Sequence, residues 1–167
     1  YALTKNHYNA GKLVSTETLH DRDILEEDAH IYAHAVMDKW NHVGVMTLKC
    51  FVKNNSLYVS KVIPGLHNTA LWTQEGAVTS QFENHLRAIL NLPLGNTDSK
   101  VAGIMVNLVG EEGYSGQVVY ENIEKIMAID GVTPHIYGKR ETRPFRKMGH
   151  VTIVNENMTE ARRIAEE

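Results

Sequence analysis

The densest run of groups able to do chemistry is Lys139-Arg140-Glu141-Thr142-Arg143-Pro144-Phe145-Arg146-Lys147-Met148-Gly149-His150, with five cationic side chains and a histidine in twelve residues. Arginine presents a planar fork and lysine a point charge, two donor types that converge on phosphates. Gly149 would let the backbone approach a ligand closely. The same charge density also fits a solvated surface loop, which needs no ligand. A second group is His67-Asn68, in a polar loop after Lys61-Val62-Ile63-Pro64-Gly65-Leu66. Histidine titrates near neutrality and asparagine both donates and accepts, so the pair suits a small polar substrate or a simple turn. His30 and His34 are four apart, a spacing that puts both rings on one side of a helix and can begin a metal site. Ile31 follows His30, so the glutamate of a His-Glu-x-x-His motif is absent and a surface pair is the plainer reading. Cys50 lies between Lys49 and Phe51 with no identifiable base to activate it, as expected for a buried, inert thiol.

These groups need a scaffold, and the pattern supplies one. Residues 1–4 and 12–16 read as short strands around the polar Asn6-His7-Tyr8-Asn9-Ala10-Gly11 stretch. The acidic segment 21–28 opens a helix to about Trp40, with Ala29, Tyr32, Ala33, Val36 and Trp40 as one buried stripe. Residues 43–52 and 57–63 form a hairpin about Lys53-Asn54-Asn55-Ser56. Alternation puts Lys49 with Val45, Thr47 and Phe51, and Lys61 with Leu57, Val59 and Ile63, so each face carries one lysine among apolar residues. Ser80 and Glu83 make a capping box for a helix that turns Phe82, Leu86, Ile89 and Leu90 inward and ends before Pro93. Residues 102–109 are a strand, followed by a helix ending at Asp130-Gly131 with Val119, Ile123, Ile126 and Met127 inward. Strands at 134–138 and 147–155 flank the basic loop, and a last helix covers 159–167. Hairpins, rather than strict alternation of strand and helix, make the class α+β.

The chain has 167 residues, 43% apolar and 22% charged, the balance of an ordinary globular protein. Its longest apolar runs fall far short of the roughly 20 residues of a membrane span. A net charge of −3 gives no sign of nucleic-acid binding. One cysteine excludes an intrachain disulfide and a thiolate zinc cluster, and with no visible export signal a cytoplasmic home is expected. The chain opens at Tyr1-Ala2-Leu3-Thr4 as if in mid-strand, as expected of a fragment.

Together the segments resemble the second half of the N5-carboxyaminoimidazole ribonucleotide synthases, an ATP-grasp family of purine biosynthesis. The resemblance covers nearly the whole chain. It is carried by Val43-Gly44-Val45 leading to Cys50-Phe51-Val52, by His67-Asn68 with Trp72-Thr73, by Thr79-Ser80-Gln81-Phe82-Glu83-Asn84-His85-Leu86-Arg87-Ala88, and by Arg143-Pro144-Phe145-Arg146-Lys147-Met148-Gly149-His150-Val151-Thr152. It implies a carboxy-terminal ATP-grasp lobe, an antiparallel sheet with packed helices, plus a small β-rich module. Residues 1–100 would be a partial ATP-grasp domain and 101–167 the module with its terminal helix. It further implies ATP, Mg²⁺, bicarbonate and aminoimidazole ribonucleotide as reactants, and a homodimer. ATP would phosphorylate bicarbonate to carboxyphosphate, which carboxylates the ribonucleotide's amine. By the same resemblance Arg146 and Lys147 would hold the ribonucleotide phosphate with Arg143 beside them, and His67 and Asn68 would serve the catalytic pocket. Lys5, Ser60 and Lys61 occupy nucleotide-binding positions.

The departures are concentrated in the nucleotide half. Lys49 and Lys61 stand where the family has glutamates for Mg²⁺, Ser60 replaces an Asn, Gly65 an Arg, and Thr69-Ala70-Leu71 a Ser-Gly-His. Lys5 stands where members have His or Glu. The glycine-rich ATP loop that precedes this segment in full-length members is missing. Unit charges 4 Å apart interact by about 4 kcal/mol at an effective dielectric near 20, and by roughly twice that for a dication. Exchanging carboxylate for ammonium therefore turns attraction into repulsion of similar size, and lysine offers no oxygen ligand. The expectation is a carboxy-terminal portion of the carboxylating ligase that is inactive alone. The alternative is a catalytically silent ATP-grasp-like domain that binds a phosphorylated ligand, serves as a subunit, or is an engineered or decayed fragment.

Overall fold

The computed structural model describes residues 1–19 and 24–166. In chain order the elements are β1 (Thr4–Asn9), β2 (Lys12–Thr18), α1 (Ile24–Trp40), β3 (Thr47–Lys53), β4 (Ser56–Ile63), a 3₁₀ turn (Asn68–Ala70), α2 (Thr73–Gly76), α3 (Gln81–Ile89), β5 (Ala102–Val109), β6 (Gly116–Gln117), α4 (Ile123–Met127), β7 (Val132–Ile136), β8 (Glu141–Thr142), β9 (Lys147–Asn155) and α5 (Met158–Glu166). The class is α+β with antiparallel sheets, as expected. Two compact units form: Tyr1–Leu3 with Leu19–Ser99, and Thr4–Thr18 with the chain from Lys100 onward.

The first unit centres on the β3–β4 hairpin and the segment from the 3₁₀ turn to α3. Trp72 is 1% exposed and Leu71 and Ala77 are buried with it. Ser80 caps α3 as its hydroxyl accepts from Glu83 N at 3.2 Å. The face α3 buries is not the expected one. Leu86, Ile89 and Leu90 are exposed, while Gln81 and Asn84 are buried. Asn84 accepts from Gly95 N at 2.7 Å and donates to Gly95 O and Tyr1 Oη, so polar side chains staple the flanking segments to the helix. The expected stripe of α1 is likewise only half covered, since Tyr32 and Trp40 are exposed. Glu26, Glu27 and Lys39 sit at the ends that suit the helix dipole. Asp21 and Asp23, at the start of the acidic segment, lie outside the described residues.

The second unit is a five-stranded sheet in the order β1-β2-β5-β9-β7. Ile104, Val151 and Ile153 form its core with Ala161 of α5, flanked by Val106, Leu108, Val132 and Ile164. The polar stretch Asn6-His7-Tyr8-Asn9 is strand rather than turn. The reversal is confined to Ala10-Gly11, both at positive φ, and Thr16 on β2 donates its hydroxyl to Asn6 Oδ1 at 2.9 Å. The helix expected up to Asp130 shrinks to α4, since Gly116 and Gln117 instead pair with Thr142 and Glu141. Val119 and Met127 are consequently exposed. In α5 Asn157 Oδ1 accepts from Thr159 N at 2.8 Å, which caps the last helix.

Candidate functional site

In the first unit the hairpin brings three of the singled-out residues together. Lys49 and Lys61 are direct cross-strand partners, and the next pair is Cys50 with Val59. Ser60 is therefore the extra residue of a β-bulge, and its hydroxyl donates to Lys49 O at 3.0 Å. Strict alternation along β4 fails at this point, so Lys61 and Ile63 do not share a face with Leu57 and Val59 as expected, and Lys61 lies on the face of its partner Lys49. The Mg²⁺ that the family implies does not fit these groups, because ammonium is a donor without an oxygen ligand and repels a cation. Among the described residues no cluster of three or more His, Cys, Asp or Glu is placed to hold a metal. His30 and His34 are both exposed on α1. Burial pushes the Cys50 thiol above its ordinary pKa, the opposite of activation.

His67 is the N-cap of the 3₁₀ turn. Its Nδ1 accepts from Thr69 N at 3.3 Å and lies 2.9 Å from Thr69 Oγ1. An accepting Nδ1 puts the ring proton on Nε2. The backbone of His67 is gripped by the Gln81 amide, which accepts from His67 N at 3.2 Å and donates to His67 O at 3.0 Å. Thr73 Oγ1 accepts from Gln81 N and donates to Ala70 O, closing the turn around Asn68. Gln81 and Thr73 are positioning residues; both lie in motifs that carry the resemblance, but sequence reasoning assigned neither a role. Their signal was the polar character of Thr73 and Gln81 beside an aromatic core residue.

In the second unit the basic loop is a tight turn stapled to the end of β5. Arg146 N donates to Arg143 O at 3.0 Å, Gly110 N donates to Arg146 O at 2.9 Å, and Phe145 N donates to Gly110 O at 2.8 Å. Arg146 Nη1 donates to Glu141 O at 2.8 Å, which orients the guanidinium. Phe145 holds φ at 63°, unusual for a bulky residue, under the Lys12 ammonium at 2.9 Å from its ring centroid. Lys147 opens β9, and Lys139 Nζ donates to its carbonyl oxygen. Arg143, Arg146 and Lys147 are thus gathered within one turn. Lys5 lies at the far edge of this sheet, 3.8 Å from Glu17 Oε1.

Behind Lys147 lies a network that the motif reading did not see. His150 is 2% exposed, its Nδ1 2.9 Å from Tyr137 Oη and its ring stacked on His135. Tyr120 Oη donates to Met148 O at 3.1 Å, and Tyr137 N to the same oxygen at 3.0 Å. The strand that carries Lys147 is therefore braced from two sides. Burial, and secondarily the His135 charge, depress the His150 pKa to about 4, so the ring is neutral at physiological pH.

Comparisons with known proteins agree with this layout. Residues 1–82 match the family model described as the ATP-grasp domain, and residues 103–164 match the phosphoribosylaminoimidazole carboxylase C-terminal domain. The chain is 38% identical over 163 residues to an N5-carboxyaminoimidazole ribonucleotide synthase of Vibrio vulnificus, covering 98% of this chain and 41% of the relative. Among solved structures it is similar to N5-carboxyaminoimidazole ribonucleotide synthetase from Thermotoga maritima, with TM-score 0.86 and 38% identity over 92% of this chain and 45% of that one. The Aspergillus clavatus N5-carboxyaminoimidazole synthase, in complex with ADP and 5-aminoimidazole ribonucleotide, matches at TM-score 0.87 and 26% identity, over 96% of this chain and 44% of that one. The chain thus spans less than half the length of the relatives it matches.

Proposed function

From a chain homologous to the carboxy-terminal part of the N5-carboxyaminoimidazole ribonucleotide synthases, we propose a portion of an ATP-dependent carboxylating ligase of purine biosynthesis. Its role is to bind aminoimidazole ribonucleotide, and turnover with ATP and bicarbonate requires the remaining part of the synthase. A cytoplasmic home and a homodimer belong to the same proposal. So does the division into a partial ATP-grasp domain, residues 1–100, and a β-rich module, residues 101–167. The observation that carries the reading is the turn of Arg143 to Lys147, fastened to Gly110 and oriented through Glu141 O. Two arginines and a lysine carried on one turn match a phosphomonoester in charge and in donor type. His67 is held at the N-cap of the turn by its Nδ1 contacts to Thr69, and Asn68 follows it at the start of the turn.

Calorimetry with aminoimidazole ribonucleotide tests this. Arg146→Ala or Lys147→Ala should weaken binding by roughly tenfold or more, and Lys49→Ala should leave it unchanged. Equal losses at all three positions would refute the assignment. A second reading, a catalytically silent domain that keeps the ribonucleotide site, is favoured by the two lysines at the metal positions. Lys49→Glu with Lys61→Glu, in a chain supplemented with the missing part, should raise ATP turnover under the first reading and leave it absent under the second.

A further inference from the structure

Lys147, the ammonium assigned to the ribonucleotide phosphate, stands beside an irregularity in its strand. Along β5 and β9, Leu108 pairs with Gly149 and Val109 with Lys147, so Met148 is the extra residue of a β-bulge. Strict alternation would put Lys147 with Gly149 and Val151, on the face where Val151 packs with Ile104, Ile153 and Ala161. As the partner of Val109 it lies instead on the face of Asn107 and His150. One extra residue thus takes an ammonium off the apolar face, where burial would strip its hydration. The bulge is also locked. Met148 is 3% exposed, and its carbonyl oxygen accepts twice, from Tyr137 N at 3.0 Å and from Tyr120 Oη at 3.1 Å. Tyr137 is anchored in turn, its Oη 2.9 Å from His150 Nδ1. Gly149 lets β7 come this close, since a Cβ there would run into His135 O.

We propose that the Met148 bulge, locked through its carbonyl by Tyr120 and Tyr137, aims Lys147 at the phosphate of the ribonucleotide. The inference rests on the reading of Lys147 as a phosphate contact. Tyr120 and Tyr137 are positioning residues that act through the backbone of β9. A charge-assisted hydrogen bond weakens steeply as its distance and angle leave the ideal, so a phosphate held by an ammonium is sensitive to aim. Loss of the lock is therefore felt at the phosphate and not at the rest of the ligand. Tyr120 is the discriminating residue. It reaches the bulge from the segment before α4 through its hydroxyl, which can be removed while the ring stays. The bond from Tyr137 comes from its backbone N–H, which survives a change of side chain.

The test is calorimetry on the whole chain with aminoimidazole ribonucleotide and with the corresponding riboside, which lacks the phosphate. Tyr120→Phe should weaken ribonucleotide binding about fivefold and leave riboside binding unchanged. Lys147→Ala should lose roughly tenfold or more, and Tyr120→Phe added to it should cost nothing further, because the tyrosine acts only through the lysine. Full ribonucleotide affinity in Tyr120→Phe, with Lys147→Ala impaired, would overturn the role of the bulge and leave the phosphate assignment standing. A loss that persists in the Lys147→Ala background, or that extends equally to the riboside, would do the same. Unchanged affinity in Lys147→Ala would overturn both readings.

Discussion

His135 and His150 stack face to face across β7 and β9, their ring centroids 4.4 Å apart and 11° from parallel. Two stacked imidazolium rings would repel, and Tyr137 Oη already occupies His150 Nδ1. The arrangement is one of neutral His150. Because its pKa is about 4 when folded and 6.5 ordinarily, the unfolded chain takes up the proton first as pH falls. Stability should therefore be full above pH 6.5, decline through the interval, and level off below about 4, by at most about 3 kcal/mol. Urea unfolding at a series of pH values measures this. His150→Phe should flatten that part of the profile, and an unchanged slope in the variant would assign it to other groups.

Gly110 sets the shape of the basic turn. A Cβ there would fall inside the van der Waals envelope of Arg143 O and Thr142 Oγ1. Gly110→Ala should push the turn off β5, costing about 1–3 kcal/mol of stability. Ribonucleotide binding should drop with it. Unchanged ribonucleotide affinity would separate the turn's geometry from its function.

Much of this layout is legible in local sequence, for identifiable reasons. Lys53-Asn54-Asn55-Ser56 announces its hairpin because Asn tolerates the positive φ that Asn54 and Asn55 adopt. Ser80 and Glu83 announce α3 because a cap is a contact three residues long. The bulge at Ser60 left no trace, since a serine in alternation looks like any outward residue. Periodicity chose the wrong face of α3 because it weighs apolar side chains and ignores what Gln81 and Asn84 can bond. No local signal says that β2 pairs with β5, because Glu17 and Ile104 meet only in the folded chain. At the site, charge density revealed the cationic turn but not its staple, Gly110, whose role lies in backbone N–H and C=O groups.

Trp72 is the side chain on which the first unit closes. At 1% exposure, its truncation to alanine should cost about 3–5 kcal/mol and loosen the turn holding His67 and Thr73. Trp72→Phe should cost less. Equilibrium denaturation of the two variants ranks them, and near-equal loss would mean the cavity is not set by side-chain volume.

Glu17 on β2 ties three elements of the second unit. Its Oε2 accepts from Arg162 of α5 at 2.8 Å, and its Oε1 lies 3.5 Å from His7 and 3.8 Å from Lys5. Burial alone would raise its pKa, but the hydrogen bond and charge of Arg162, aided by His7, outweigh that and the net shift is downward. A carboxyl whose folded pKa is depressed stabilises the fold above its ordinary value near 4.5 and loses that contribution as pH falls below it. Glu17→Gln keeps the shape and removes the charge. It should lower the Tm by roughly 3 °C at pH 7 and by progressively less below pH 4, where the wild-type carboxyl is itself protonating. Arg162→Gln should lower it in the same direction, and the double variant should lose less than the two single losses added, since both remove one interaction. Strict additivity in that cycle would show that Glu17 and Arg162 stabilise the sheet separately, and that α5 is held by its apolar face alone.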